Sequence, residues 1–405
     1  MPKATKRNPL LHFASLLIIP AVFSCGGEQK EKEKTETGAA TEITSKPIVD
    51  IRFDSSYLQI PNSVGDEWAP TWGRDDVLFT GNDDGSSFGP GKNNNLAFGK
   101  LEGSSPYNLT GTTINPMNEY GYAGELKADS ASWKTMNSYS VDGVLYMFVT
   151  RCLYPEKSGD TANRHVFRSS SIIKSVDGGK TWTRSEKENY DQPMFPGKRF
   201  GAPYFVWFGK DGEGSVDNAD KYVYAVSNNG HFESGDNYII GRVLKSKLAD
   251  LNAADWTFYK SGDGMNDASW VANMDDAGHI LTNTGNSSMT GMTYIPGLNR
   301  YIMVVWHYTT YNLRTDPRTI NEFYEAPKPW GPWTKFKTLD TKELGWYVPI
   351  VGQRFQEKVD DKTVKAILYP TGNYQKKELY KLNYIPVTIS TEPLQHKDPL
   401  YVGGR

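Results

Sequence analysis

Cysteine is nearly absent: 405 residues hold two, Cys25 and Cys152. Two thiols cannot build a disulfide framework, and there is no C-x-x-C or H-E-x-x-H pattern for a metal or redox centre. Charge of one sign is missing as well. Lys+Arg 45 against Asp+Glu 47 leaves the chain near neutral, without the basic face that a nucleic-acid partner needs. Long helical periods are missing. The apolar run from Leu10 to Phe23 is too short, and broken by Pro20, for a comfortable membrane span. What the chain has in quantity is 11 Trp, 24 Tyr and 38 Gly among many short apolar runs. That mixture favours β structure with many turns. The length allows two or three domains, or one large all-β unit.

The N-terminus reads as a targeting segment. Lys3, Lys6 and Arg7 precede the apolar run, which ends at Ser24-Cys25. "VFSCGG" resembles the lipobox of bacterial lipoproteins, which implies cleavage before Cys25 and lipidation of its thiol. An ordinary signal peptide with a chance cysteine is the alternative. Residues 1–24 are thus expected to be a signal peptide. Residues 25–47, rich in Glu, Lys, Thr and Gly, cannot bury a core and are expected to be a flexible tether. The expected location is the outer membrane, cell surface or periplasm, with the lipid as the sole membrane contact. Cys152 would then be the only free thiol, and is expected to be a small packed residue.

Five segments look alike when stacked: "VLFTGNDD", "VLYMFVTR", "YVYAVSNN", "RYIMVVWH" and "VKAILYPT". Each follows a turn, and before each turn lies another strand candidate, so each unit opens with a hairpin. A third strand and a Trp-Thr corner follow in three units, at Trp182, Trp256 and Trp333. Four strands per unit, five times over, predicts an all-β, five-bladed β-propeller with four-stranded antiparallel blades over residues 48–390, followed by a tail, 391–405. The early strand at 48–60 has no partner in its own blade and is expected to close the ring on the last one. "SVDGGKTW", Ser175 to Trp182, resembles the Asp-box of sialidase-type propellers. It implies a structural turn in which Asp177 binds backbone amides. No arginine triad of sialidase type accompanies it.

"DEWAPTWGRDDVLFTGNDDG", "YVYAVSNNGHFESGDNYIIGRV", "ADWTFYK", "MTYIPGLNRYIMV" and "EAPKPWGPWT" together resemble a family of bacterial secreted propellers that includes endo-D-arabinanases. The likeness runs from Asp66 to Ile389. It implies glycan hydrolysis by an acid pair on the first blade, of an arabinan or another polysaccharide.

The residues themselves point the same way. A regular hairpin turning at Asp75-Asp76 sets Asp66 opposite Asp84. Facing carboxylates repel, which suits two acids with separated proton affinities better than a structural pair. Asp66 and Asp84 are the expected catalytic residues, Asp66 as base or nucleophile, with Asp83 in reserve should a bulge shift the register. Trp68, Asp83, Trp133, Lys134, Asn228, Asn229 and Trp306 are the expected sugar-binding residues, and Tyr347 and Thr371 are placed on the same face. Packing roles for the tryptophans and ion pairs for Lys134 and Arg151 are the alternatives. No cofactor or metal is expected, although a single Ca²⁺ on loop oxygens remains open. The expected partner is a poly- or oligosaccharide and the expected state a monomer. A glycan-binding propeller without catalysis, or a protein-binding platform, are the competing functions.

Overall fold

The computed structural model describes residues 45–161, 164–213, 221–310 and 316–396. The expected signal peptide, Cys25, the expected tether up to residue 44 and the expected tail from residue 397 lie outside the described residues. The described chain is mostly β-strand with a few short helices, the longest being Glu186–Asp191. Among the described residues no helix is long and apolar enough to cross a membrane.

Five antiparallel meanders follow one another. The first runs through Ser63–Asp66 with Thr71–Trp72, Leu78–Phe88, Asn94–Glu102 and Thr110–Asn115. The second comprises Ser132–Val141, Val144–Leu153, Val166–Ser175 and Phe195–Pro196. The third has Tyr204–Trp207, Tyr222–Asn228 and Gly235–Leu244, with Thr257–Tyr259 and Leu281–Ser287 sharing the fourth position. The fourth has Met292–Ile295, Arg300–Tyr308, Thr319–Ala326 and Thr334–Asp340. The fifth has Tyr347–Val351, Thr363–Thr371 and Asn383–Ser390, and takes its fourth strand, Asp50–Phe53, from the start of the chain.

Neighbouring meanders meet at one edge in cyclic order. Thr135 N–H donates to Asp83 Oδ1 at 2.8 Å, joining the first and second. Asn137 and Phe205 exchange two hydrogen bonds, at 2.8 and 2.6 Å, between the second and third. Val206 and Trp207 pair in parallel with Met292 and Thr293 of the fourth. Thr293 Oγ1 donates to Val351 O of the fifth at 2.6 Å. Glu67 N–H donates to Thr371 Oγ1 at 2.9 Å, returning to the first. Antiparallel four-stranded sheets in a closed cycle are the connectivity of a β-propeller.

Burial follows this order. Tyr222–Asn228 is buried at every position, because sheets on both sides cover it, and so its sequence runs apolar instead of alternating. The outer strand Thr334–Asp340 is half-exposed to exposed throughout. The Asp-box turn lies on that outer side. Asp177 Oδ1 accepts from Thr181 N–H at 3.0 Å and from Ser175 Oγ at 2.7 Å. Gly178 and Gly179 both have positive φ, and a Cβ on Gly179 would meet Phe98 at 2.3 Å. Trp182 packs edge-on against Phe98 of the first sheet, centroids 4.9 Å apart. The turn therefore fastens two adjacent sheets.

Candidate active site

The first hairpin turns where the sequence indicated: Thr71 faces Phe79 and Trp72 faces Leu78. Beyond that point the pairing departs from regularity. Asp66 faces Asp83, and Val64 faces Ser87. The expected opposition of Asp66 and Asp84 is thus corrected by one residue. The extra residue lies on the first strand between Asp66 and Thr71, where Glu67 is left-handed. A second irregularity follows between Val64 and Asp66, where the two backbones close in. Glycine at both walls permits this approach: a Cβ on Gly85 would lie 1.9 Å from Val64 O, and one on Gly65 2.5 Å from Asp83 O. Glu67 and Asp84 take left-handed φ values of 56° and 46°. Those turns break the alternation of side chains along both strands, so that four acids, Asp66, Glu67, Asp83 and Asp84, gather on one side.

Their surroundings differ. Asp66 is 8% exposed and its Oδ2 accepts from Tyr347 Oη at 2.8 Å. Burial pushes its carboxyl pKa up, the Lys134 ammonium opposes this and the Asp84 charge adds to it; the outcome is about 7. Asp84 is ion-paired with Lys134 through Oδ2, while its Oδ1 has no partner among the described residues. Lys134 is itself buried. Burial works against its charge, but Asp84, Tyr154, Asp83 and Asp66 outweigh it and hold the ammonium well above its ordinary range. Asp83 and Glu67 are buried completely or nearly so. Burial first, and neighbouring acids second, lift the Glu67 carboxyl; burial lifts Asp83 against the pull of Lys134. Their carboxyls are in hydrogen-bonding reach of each other.

Around these acids runs a ring of aromatics, partly exposed at Tyr154, His165, Phe232 and Tyr380 and buried at Tyr347. Tyr154 meets His165 (5.4 Å between centroids), His165 meets Phe232 (5.4 Å), and Phe232 meets Tyr347 (6.1 Å). Tyr347 leads back to Asp66, whose carboxyl is also in hydrogen-bonding reach of Tyr380. Lys134 lies 5.9 Å from the Tyr154 ring, closing the circuit. His165 Nδ1 is held at 3.1 Å by the buried carboxylate of Glu233.

The expected sugar-binding residues divide. Asp83 and Lys134 lie at the acids. Trp68, Trp133 and Trp306 present no open face, being at most 1% exposed. Trp68 Nε1 donates to Gly65 O at 2.8 Å, and Trp306 Nε1 to Met289 O at 2.9 Å. Trp306 sits one layer behind Phe232 and Tyr347. Trp133 points between the first two sheets, where Tyr120 and Arg151 cover its ring and Glu186 takes its N–H. Asn228 donates to His231 O and Ser287 O and accepts from Gly230 N–H, so its amide is committed to a turn. Asn229 exchanges two hydrogen bonds with Asp236. Arg151 pairs with Asp129 at 2.6 Å. Among the described residues no three acid, His or Cys side chains are arranged to hold a metal ion.

Glu67, Tyr154, His165, Phe232 and Tyr380 were not in the sequence-derived set. Strict alternation would put Glu67 on the face opposite Asp66, and only its left-handed backbone reverses that. Tyr380 and Phe232 lie in loops without a pattern.

No family model matches the chain, and no curated protein matches it. Solved structures do. A variant of a GH43 protein from Bacillus licheniformis is 11% identical over 85% of this chain and 60% of that one, with a TM-score of 0.43. An exo-beta-1,3-galactanase from Phanerochaete chrysosporium, solved with galactose, is 10% identical over 82% of this chain and 64% of that one, TM-score 0.43. A family 117 glycoside hydrolase from Zobellia galactanivorans is 7% identical over 86% of this chain and 92% of that one, TM-score 0.39.

Proposed function

We propose that the chain is a five-bladed β-propeller glycoside hydrolase that cleaves a polysaccharide with Asp66 and Asp84. The observation that carries this reading is the pair of unlike environments within one bulge. Asp66 is buried, bonded to Tyr347 and pushed up to about 7. Asp84, one residue beyond the position facing it, is charge-paired with Lys134 and keeps one oxygen unpartnered. A buried acid that holds a proton, beside a second acid ion-paired with a lysine, can divide the labour of glycoside cleavage. The roles reverse those expected from strand position. Asp66, which keeps a proton up to neutrality, protonates the departing oxygen. Asp84 acts as the carboxylate, toward water or the sugar carbon. The rings of Tyr154, Phe232 and Tyr380, not those of Trp133 and Trp306, offer the faces on which sugar C–H surfaces stack. An arabinan is the first substrate to test, because of the likeness of the first hairpin to the arabinanase family. The N-terminal segment adds export and a lipid anchor at Cys25; mass spectrometry of the native chain should find a diacylated N-terminal cysteine, and an unmodified Met1 would refute it.

The test is incubation with a panel of arabinans, galactans and other glycans, read by released oligosaccharides. Asp66→Asn and Asp84→Asn should each lower kcat by about a hundredfold or more, with the fold intact. Near-normal turnover in either folded variant removes that residue from the mechanism. Glycan binding without products from any substrate would instead establish the non-catalytic reading.

A further inference from the structure

Glu67 and Asp83 have no role in the cleavage described above, yet they lie deeper than either acid assigned to it. Asp83 faces Asp66 across the bulge, and Glu67 follows Asp66 in the chain. Asp83 Oδ1 accepts from Thr135 N–H at 2.8 Å. Asp83 Oδ2 and Glu67 Oε2 are fully buried and take no donor from any other group among the described residues. Each has the other within reach. Two facing carboxylates without a donor repel, whereas one carboxylic acid and one carboxylate make a short, charge-assisted hydrogen bond.

Charge balance leads to the same state. The cation facing these acids is Lys134, and Asp84 is already paired with it. The other titratable groups around them are the phenols of Tyr154, Tyr204, Tyr308, Tyr347 and Tyr380, the Cys152 thiol, and the Glu233 carboxyl with the His165 imidazole that it holds at 3.1 Å. Four ionised acids against one ammonium would leave an excess of three negative charges in a buried volume, which the low local dielectric penalises heavily. Protons must therefore replace missing cations.

We infer that Glu67 and Asp83 share a single proton and act as positioning residues for Asp66, whose hold on its own proton their shared negative charge strengthens. The pair then carries one negative charge beside Asp66 at neutral pH. No proton is gained or lost by the pair during turnover. It rests on the proposed function only for the catalytic consequence; the sharing itself is a property of the resting protein.

Infrared spectroscopy of the full chain tests it without a substrate. A protonated-carboxyl band should persist at neutral and mildly alkaline pH, and should remain when Asp66→Asn removes that residue's own contribution. The double variant Glu67→Gln, Asp83→Asn should lose the persistent band. In it the Asp66 carboxyl should ionise at lower pH, with its proton affinity reduced by at least about tenfold, one unit in its midpoint. Once a cleaved glycan is known, the pH profile of kcat should move by the same amount while KM changes little. Absence of the band in the Asp66→Asn protein overturns the inference even if the double variant does not fold. An unmoved Asp66 midpoint in a folded double variant also overturns it. Failure to cleave any glycan would remove the proposed function and leave these spectra to decide proton sharing alone.

Discussion

Asp66 binds its proton more tightly in the folded chain than in the unfolded one, because burial raises its carboxyl to about 7 from the ordinary 3.8. A raised carboxyl contributes stability that is fully present below the unfolded value and is lost as pH rises through the folded one. Asp66→Asn removes a charge that burial penalises. It should therefore stabilise the protein more at about pH 8 than at about pH 5, measured by denaturant unfolding at both. An equal effect at both pH values would mean that Asp66 does not titrate in this window. On the proposed function, activity and stability are opposed at this residue. Gly85 supplies the complementary case. Gly85→Ala forces a Cβ against Val64 O, so the bulge must open. A loss of roughly 1–3 kcal/mol is expected in the same unfolding measurement. The presence of acids here was legible in the sequence, but their register was not. A regular hairpin gives Asp66 opposite Asp84. Whether the first strand stays regular between Thr71 and Asp66 depends on the left-handed backbone at Glu67, which local sequence does not reveal.

At the scale of single elements the alternating and continuous apolar runs were sufficient signals. Four of the five opening hairpins turn where the turn residues placed them, the third turn lying outside the described residues, and Trp256 and Trp333 immediately precede outer strands. The tryptophans near the expected ligand face were less informative. Trp133 and Trp306 occupy strands covered on both sides, and a strand's sequence does not say which of its aromatic rings remains open. The Asp-box was legible because its work is local. Asp177 is held down to about 2 by Thr181 and Ser175. Its contribution is present above the ordinary carboxylate range and is lost as pH falls toward 2. Asp177→Ala should lower Tm by a few degrees at neutral pH, roughly the effect of one or two hydrogen bonds. This difference should shrink in strong acid.

For the whole molecule the decisive feature is that the last sheet is completed by the first strand. Asp50–Phe53 pairs along Asn383–Ser390, and Leu58–Gln59 pairs with the same strand. Ile48 and Ile51 are buried in one cluster with Val387, Ile389 and Phe323. Tyr57 stacks on Trp346, centroids 6.2 Å apart. Asp50 is ion-paired with Lys337 on the outer strand of the fourth sheet, at 3.1 Å. The first residues of the folded unit thus tie the fourth and fifth sheets together, and the contact of Glu67 with Thr371 ties the fifth to the first. Removing residues 48–60 exposes an edge strand and deletes three buried isoleucines, Ile48, Ile51 and Ile60, each worth about 1.5–3 kcal/mol of burial. A fall in Tm of about 10 °C or more should follow. It should affect every sheet, because a cycle opened at one joint loses the mutual support of all its neighbours. Calorimetry of the intact chain should accordingly show a single transition, shifted but still single after the deletion. Limited proteolysis yielding a stable fragment of only two or three sheets would show that the cycle does not couple them. The acids at the first bulge would then owe their geometry to the first two sheets alone.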